Sequence, residues 1–355
     1  MVDPRSPIKV LVVDDSAVVR EFLVYTLNSD PGIKVVGTAR NGEEALQAVM
    51  HLKPDVITMD IHMPKMDGLE ATRRIMETQP TPIVVISGSS TAREVATTFH
   101  AIEAGALSFI PRSKGIGDPD YERTAKELVQ TVKLMSEVKV VKRWPRYKEP
   151  LSISSGLMAI EKTIPAKIQM IAIGSSTGGP MVLKTILSGL HQNFPVPLLI
   201  VQHMSPGFVS GFVTWLNTSS SFPVRLVTHG EHPRPGNAYV APDGFHMEVV
   251  TGNRIILSKG EPENGMRPSV SCLFRSVARV FGKEAIGVIL TGMGKDGAEE
   301  MKIMKGQGAV TIAQNEETSV VYGMPGEAVS LGAAMHVLSP EEISNLLNQL
   351  VNDND

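Results

Sequence analysis

Short apolar, β-branched runs alternate with segments of helical length along almost the whole chain. From Ile8 to about Lys133 the runs "IKVLVV", "IKVV", "VITM", "PIVVIS" and "LSFI" are separated by such segments, which predicts five βα units. Asn41 and Glu44 are spaced as a capping box, and "DPG" at Asp30 to Gly32 closes the first helix. A doubly wound parallel sheet is the expected fold. After Lys167 the alternation resumes with "MIAI", "PLLIVQ", "VRLVT", "AIGVIL", "AVTIA" and "AMHVL", predicting a second parallel α/β sheet. Inside it, "HMEVVTGNRIILS" reads as a β-hairpin turning at Gly252 and Asn253, an antiparallel insert in a parallel pattern. The last segment, "SPEEISNLLNQLV", offers Ser339 as N-cap, Pro340 at the first helical position and Glu342 to complete the box.

Between the two patterned halves, Leu134 to Pro165 carries six Lys+Arg against three Asp+Glu and holds no period, so it reads as linker. The expected division is a first domain at 1–133, a linker at 134–165 and a second domain at 166–355. An alternative is that "LVQTVKLMSEVKVV" continues the last helix of the first domain.

Composition narrows the function classes. The 355 residues are 42% hydrophobic and 20% charged with a formal charge of -3, which gives no overall field for nucleic acid. The amino terminus lacks the apolar run of a signal peptide and no stretch is long enough to insert in a membrane, so a cytoplasmic protein is expected. A single cysteine, Cys272, supports neither an internal disulfide nor a thiolate metal cluster and reads as a small buried hydrophobe.

Two sets of residues carry chemistry. Asp14 and Asp15 end the first predicted strand and Asp60 ends the third, which gathers three carboxylates at the carboxyl edge of the first sheet. Their mutual repulsion calls for a hard divalent cation, and Mg2+ fits best. Ser87 ends the fourth strand at the same edge. In the second half, Gly174-Ser175-Ser176-Thr177-Gly178 satisfies G-x-S-x-G between a strand and a helix that starts with Pro180, which frames Ser176 as a nucleophile. A glycine-rich turn at that place also binds anions, and the loop alone does not choose between the two. A dinucleotide site would need G-x-G-x-x-G and a Walker loop would need Gly-Lys-Ser/Thr, and neither follows. A serine needs a base and the base an orienting acid. His203 and Asp296 both fall in loops after predicted strands, at the edge where Ser176 sits. His191, His229, His232 and His246 are less well placed, and Asp243 in "APDG" is the rival acid in a turn setting.

With "VLVVDDS", "DIHMPKMDG", "VVIS" and "EAGALSFI", the first half resembles the receiver domain of two-component response regulators. The resemblance implies acyl phosphorylation of Asp60 by a histidine kinase of the chemotaxis type, with Asp14, Asp15 and Asp60 on Mg2+ and Ser87 as switch hydroxyl. It departs at one place: receivers carry Lys-Pro after the fifth strand, where this chain has Arg112 and Ser113. Either Arg112 or Lys114 could supply the cation.

The second half is similar to the catalytic domain of the chemotaxis protein-glutamate methylesterases, the CheB family, through "IAIGSSTGGP", "VQHM", "RPSVSCLFRSVA", "GVILTGMGKDGA" and "YGMPGEA". That resemblance implies Ser176 as nucleophile, His203 as general base then acid, Asp296 as orienting carboxylate, Thr177 positioning His203 and the Met293 amide as oxyanion donor. The implied substrates are glutamyl methyl esters, and glutamine amides, in the cytoplasmic domains of chemoreceptors. No cofactor is implied for the ester chemistry, and a receiver that occludes the catalytic face until phosphorylated is the implied control. A DNA-binding output domain would be smaller, helical and basic, whereas residues from Ala166 onward carry 13 Lys+Arg against 16 Asp+Glu. A non-catalytic adaptor remains the other reading, opposed by the intact Ser176, His203 and Asp296 set.

Overall fold

The computed structural model describes residues 6–87, 92–112, 115, 117, 121–138, 140 and 167–352. The chain folds as two compact units, parted between Pro150 and Leu151. Helix α5 of the first unit runs to Ser136, past the expected boundary at 133, and most of the linker lies outside the described residues.

The first unit is built from β1 (Ile8–Val13), α1 (Ala17–Asn28), β2 (Ile33–Ala39), α2 (Gly42–Leu52), β3 (Val56–Asp60), α3 (Gly68–Thr78), β4 (Ile83–Ser87), α4 (Ala92–Ala104), β5 (Ser108–Pro111) and α5 (Tyr121–Ser136). All strand pairs are parallel, in the order β2-β1-β3-β4-β5. β3 and β4 are buried throughout, as expected for central strands covered on both faces. The local signals act as the spacing predicts, with one refinement. Asn41 Oδ1 accepts from Glu44 N at 3.0 Å, but the Glu44 carboxylate accepts from Arg40 N at 2.9 Å and from the Asn41 side-chain amide at 3.3 Å rather than from the cap residue's backbone N–H.

The second unit comprises β6 (Met170–Ser175), α6 (Gly179–Gly189), β7 (Leu198–Gln202), α7 (Val209–Ser220), β8 (Val224–Leu226), β9 (Ala238–Val240), β10 (His246–Val250), β11 (Arg254–Ser258), α8 (Val270–Phe281), β12 (Ala285–Ile289), α9 (Ala298–Gly306), β13 (Val310–Gln314), α10 (Met324–Ser330), β14 (His336–Leu338) and α11 (Pro340–Asn352). Seven strands form one parallel sheet in the order β14-β13-β12-β6-β7-β9-β8. β9 was not expected from the sequence: a strand of three residues is too short to show a period. The chain leaves β6 toward β7 on one side and later returns to β12 on the other, so the crevice beyond β6 and β12 is the topological switch point.

The hairpin does turn through Gly252 and Asn253, both at positive φ (88° and 55°). It forms its own two-stranded sheet instead of joining the large one. Its Met247, Val249 and Ile255 belong to the core with α8, where Ser276 Oγ accepts from Val249 N at 3.0 Å. Cys272 on α8 is buried, and burial pushes its thiol up to about 12. Its Sγ donates to Glu263 at 3.0 Å. Ser339 and Glu342 form the full reciprocal box at the start of α11. Among the described residues no helix is long and apolar enough to cross a membrane.

Candidate active site

In the first unit Asp14, Asp15 and Asp60 each offer a carboxylate oxygen, all within 4.8 Å of one another. Asp14 and Asp60 are buried while Asp15 is exposed. Burial, and then the neighbouring Asp14 charge, push the Asp60 carboxyl up to about 6; burial also raises Asp14. Gly68, at the start of α3, is required here, because a Cβ on it would stand 2.0 Å from the Asp60 carbonyl oxygen. The oxygen-only donor set, crowded with like charge, fits a hard divalent cation such as Mg2+.

Among the described residues Arg112 brings a cation to this site. Its Nη2 lies 2.9 Å from Asp14 Oδ2 and 3.1 Å from Asp60 Oδ1, and its Nε is buried without a partner. Its backbone N–H donates to the Ser87 carbonyl at 2.6 Å, which continues the pairing of β5 with β4. Lys114 and Ser113 lie outside the described residues. Ser87 is buried at the same strand edge, with Thr98 Oγ1 3.4 Å from its hydroxyl.

In the second unit β6 ends at Ser175, and Ser176 and Thr177 occupy the turn into α6. Neither serine takes a left-handed backbone; Gly178 does, at φ +81°, so the turn is made by glycine rather than by a strained nucleophile. Gly174 admits α8 against the strand, since a Cβ there would stand 2.3 Å from Val270 Cγ1. The loop after β12 presses on the other side. Ser176 N donates to the Thr291 carbonyl at 3.0 Å and Thr291 Oγ1 to the Thr177 carbonyl at 2.9 Å. A Cβ on Gly292 would meet Ser176 Cβ at 2.5 Å. Gly292 in turn accepts from Gly323 and Met324, which gives the "YGMPGEA" segment its place. Met293 follows directly, its side chain half exposed. Among the described residues its N–H makes no backbone hydrogen bond.

His203 and Asp296 come together as the spacing suggests. His203 Nε2 lies 3.0 Å from Asp296 Oδ2, an ion-pair distance but off the line of a well-formed hydrogen bond, and both side chains are buried. Nδ1 is buried with no partner. Among the described residues neither the Ser176 nor the Thr177 hydroxyl is hydrogen-bonded to His203, a contact that often closes only with substrate bound. Asp243 stays apart from the pair. Its Oδ2 accepts from Gly207 N at 2.8 Å, tying down the loop that follows His203.

Asp296 is held by more donors than the sequence disclosed. Oδ1 accepts from Asn264 Nδ2 (2.9 Å), Ser269 Oγ (2.8 Å) and Ser271 N (3.3 Å), and Oδ2 from Val270 N (2.6 Å). Burial alone would raise its carboxyl, but His203 and then these donors outweigh it and hold the group well below the usual carboxylate range. Gln202 was also missed. It is a polar residue closing an otherwise apolar strand, and Ser269 caps a helix; those were the available signals. A serine in a tight turn beside a buried imidazole backed by a fixed carboxylate can carry out acyl transfer.

Comparison with known proteins agrees. The CheB methylesterase family model matches residues 171–347 and the response regulator receiver domain model residues 10–118. Protein-glutamate methylesterase/protein-glutamine glutaminase 4 of Geobacter metallireducens is 58% identical over 344 residues, covering 97% of this chain and 99% of its own. The like-named protein of Nitrosospira multiformis is 56% identical over 346 residues, covering 97% of each. The crystal structure of the Thermotoga maritima CheB methylesterase catalytic domain superposes with a TM-score of 0.51 at 38% identity, covering 52% of this chain and all of that one. The chain belongs to the CheB methylesterase family, in the form that carries a receiver domain ahead of the catalytic one.

Proposed function

We propose that the chain is a phosphorylation-activated protein-glutamate methylesterase that also deamidates glutamine, acting in the cytoplasm on the cytoplasmic domains of chemoreceptors. The observation that carries this reading is the buried His203–Asp296 pair beside the Ser176 turn at the sheet's switch point. It occurs in a chain 58% identical to a protein named for both activities.

Ser176 Oγ attacks the γ-carbonyl carbon of a glutamyl methyl ester. Because Nε2 faces Asp296, the proton goes to Nδ1 of His203, and the ionised Asp296 stabilises the imidazolium. Among the described residues the Met293 N–H has no backbone partner, and it serves the oxyanion. Thr177, fixed through its carbonyl by Thr291, supports the turn. Collapse of the tetrahedral adduct breaks the C–O bond, and His203 returns the proton so that methanol leaves. Water, deprotonated by His203, then cleaves the acyl-serine to give the glutamate carboxylate. A glutamine amide follows the same course and releases ammonia.

In the receiver, a carboxylate oxygen of Asp60 attacks the phosphoryl group delivered by a histidine kinase of the chemotaxis type. Asp14, Asp15 and Asp60 would hold Mg2+, which when bound would supply positive charge for the phosphoryl oxygens. Arg112 already spans Asp14 and Asp60, and its unpartnered Nε leaves an arm of the guanidinium for an acyl-phosphate oxygen. The Ser87 hydroxyl takes another. The test is methanol release from methylated receptor by the full chain. It should rise when acetyl phosphate and Mg2+ are added, and no release under either condition would refute the reading.

A further inference from the structure

The end of β7 carries a side chain that neither the ester chemistry nor the phosphorylation step uses. Gln202 is buried, and its amide makes three hydrogen bonds within one small region. Oε1 accepts from Ser175 Oγ at 2.7 Å, while Nε2 donates to the Ser176 carbonyl at 2.8 Å and to the His203 carbonyl at 2.7 Å. The amide orientation follows from its partners: two carbonyl oxygens can face only the NH2 end, and the hydroxyl donates to the other. Ser175 pairs with Gln202 in the β6–β7 ladder, and His203 N donates to the Ser175 carbonyl at 2.9 Å. Gln202 therefore adds side-chain bonds to the pairing at the ends of the two strands.

We infer that Gln202 is a positioning residue that sets the distance between Ser176 and His203 by clamping both backbone carbonyls, with the Ser175 hydroxyl orienting its amide. The inference rests on the roles proposed for Ser176 and His203. Room has been made for it, since a Cβ on Gly179 would stand 2.2 Å from Gln202 Oε1. The glycine at the start of α6 thus serves the clamp and not only the turn. A primary amide suits this place: a carboxylate would face two carbonyl oxygens, and an apolar side chain would take these partners from the His203 carbonyl and the Ser175 hydroxyl and leave the Ser176 carbonyl with the Gly179 N–H alone. The same clamp explains why two serines stand side by side in "IAIGSSTGGP", one for the chemistry and one for the amide behind it.

The test uses the full chain with Mg2+ and acetyl phosphate, comparing Gln202→Met, Gln202→Glu, Ser175→Ala and the Ser175→Ala/Gln202→Met double variant. Two rates are read, methyl-ester hydrolysis and covalent labelling of Ser176 by a fluorophosphonate, and folding is followed by circular dichroism. A misplacement of about 1 Å costs on the order of 100-fold, so Gln202→Met should lower kcat by about that factor with KM within about twofold. Labelling should fall in parallel, Gln202→Glu should do no better, and the double variant should match Gln202→Met, because Ser175 acts through Gln202. Ser175→Ala alone should lose several-fold in both rates, which keeps the inference testable if Gln202→Met fails to fold. Folded Gln202 variants with kcat and labelling within twofold of the parent, or losses that multiply in the double variant, would overturn it. Labelling needs no receptor. Parent protein that labels at Ser176 but releases no methanol would remove the substrate assignment and leave the positioning test intact.

Discussion

Asp60, the last residue of β3, and Asp296, in the loop after β12, are both buried carboxylates on the carboxyl side of parallel strands, yet their electrostatics are opposite. Asp60 sits among two other aspartates, and its carboxyl is pushed up to about 6 by burial and the Asp14 charge. Asp296 is buried as deeply but receives four hydrogen bonds besides the His203 contact, and its carboxyl is held well below the ordinary range. Burial does not decide the charge state of a carboxylate; the donors aimed at it do. The one with fewer donors, Asp60, is the group expected to react, and the one with more is expected only to orient its neighbour.

Several measurements bear on that contrast. The largest effect belongs to Ser176→Ala, which should lower methanol release by about 10⁴-fold or more while leaving phosphorylation of Asp60 intact. Next, Asp296→Asn keeps the shape but removes the charge and sets an NH2 against donors that now meet a carboxylate oxygen, Val270 N and His203 Nε2 if it replaces Oδ2, and should lower kcat by roughly 10³-fold to 10⁴-fold. An Asp296→Asn enzyme within tenfold of the parent would mean that the orienting charge is dispensable. Asp60→Asn should abolish incorporation of phosphate and all stimulation by a phosphodonor, with unstimulated hydrolysis within about twofold of the parent. Arg112→Ala leaves Asp14 and Asp60 without the guanidinium that now bridges them, so the rise in melting temperature on adding Mg2+ should be larger than in the parent. An equal rise in both would show that Arg112 does not balance the site.

The smallest effect is in acid. The Asp296 carboxyl is depressed on folding, so the stability it contributes is fully present above its ordinary value of 3.8 and is lost as pH falls from there through the folded value. The difference in stability between parent and Asp296→Asn should therefore be constant from pH 7 to about pH 5 and shrink only below about pH 4. Denaturant titrations across that range would show it. A difference that already narrows between pH 7 and pH 5 would contradict the depressed value.

Much of this was legible in the sequence because it is local. Strand-end aspartates, the G-x-S-x-G frame, the capping residues of α2 and α11 and the hairpin turn are each written within a few positions. What escaped depends on register or on long loops. Gln202 matters only because β7 pairs with β6 so that Ser175 stands opposite it. Asn264 reaches Asp296 from a loop 32 positions away, and β9 is too short to carry a period. Arg112 was in view, but that its guanidinium lies between Asp14 and Asp60 is a matter of reach that the sequence does not show; Lys114, the alternative, lies outside the described residues.

The pairing of β6 with β12 has a consequence for the birth of the protein. These neighbours are joined only after the intervening helices, the β7-β9-β8 side of the sheet and the hairpin have been made, so Ser176 and His203 leave the ribosome well before Asp296. At about 5–20 residues per second, the 93 positions separating His203 from Asp296 amount to a delay of roughly 5 to 20 s. During that interval the nascent chain holds a serine and an imidazole but no orienting acid, and β12 has yet to join the sheet beside β6. On the roles proposed above, a nascent chain that stops short of Asp296 would lack the orienting acid, and full esterase competence would arrive only once translation has passed that residue.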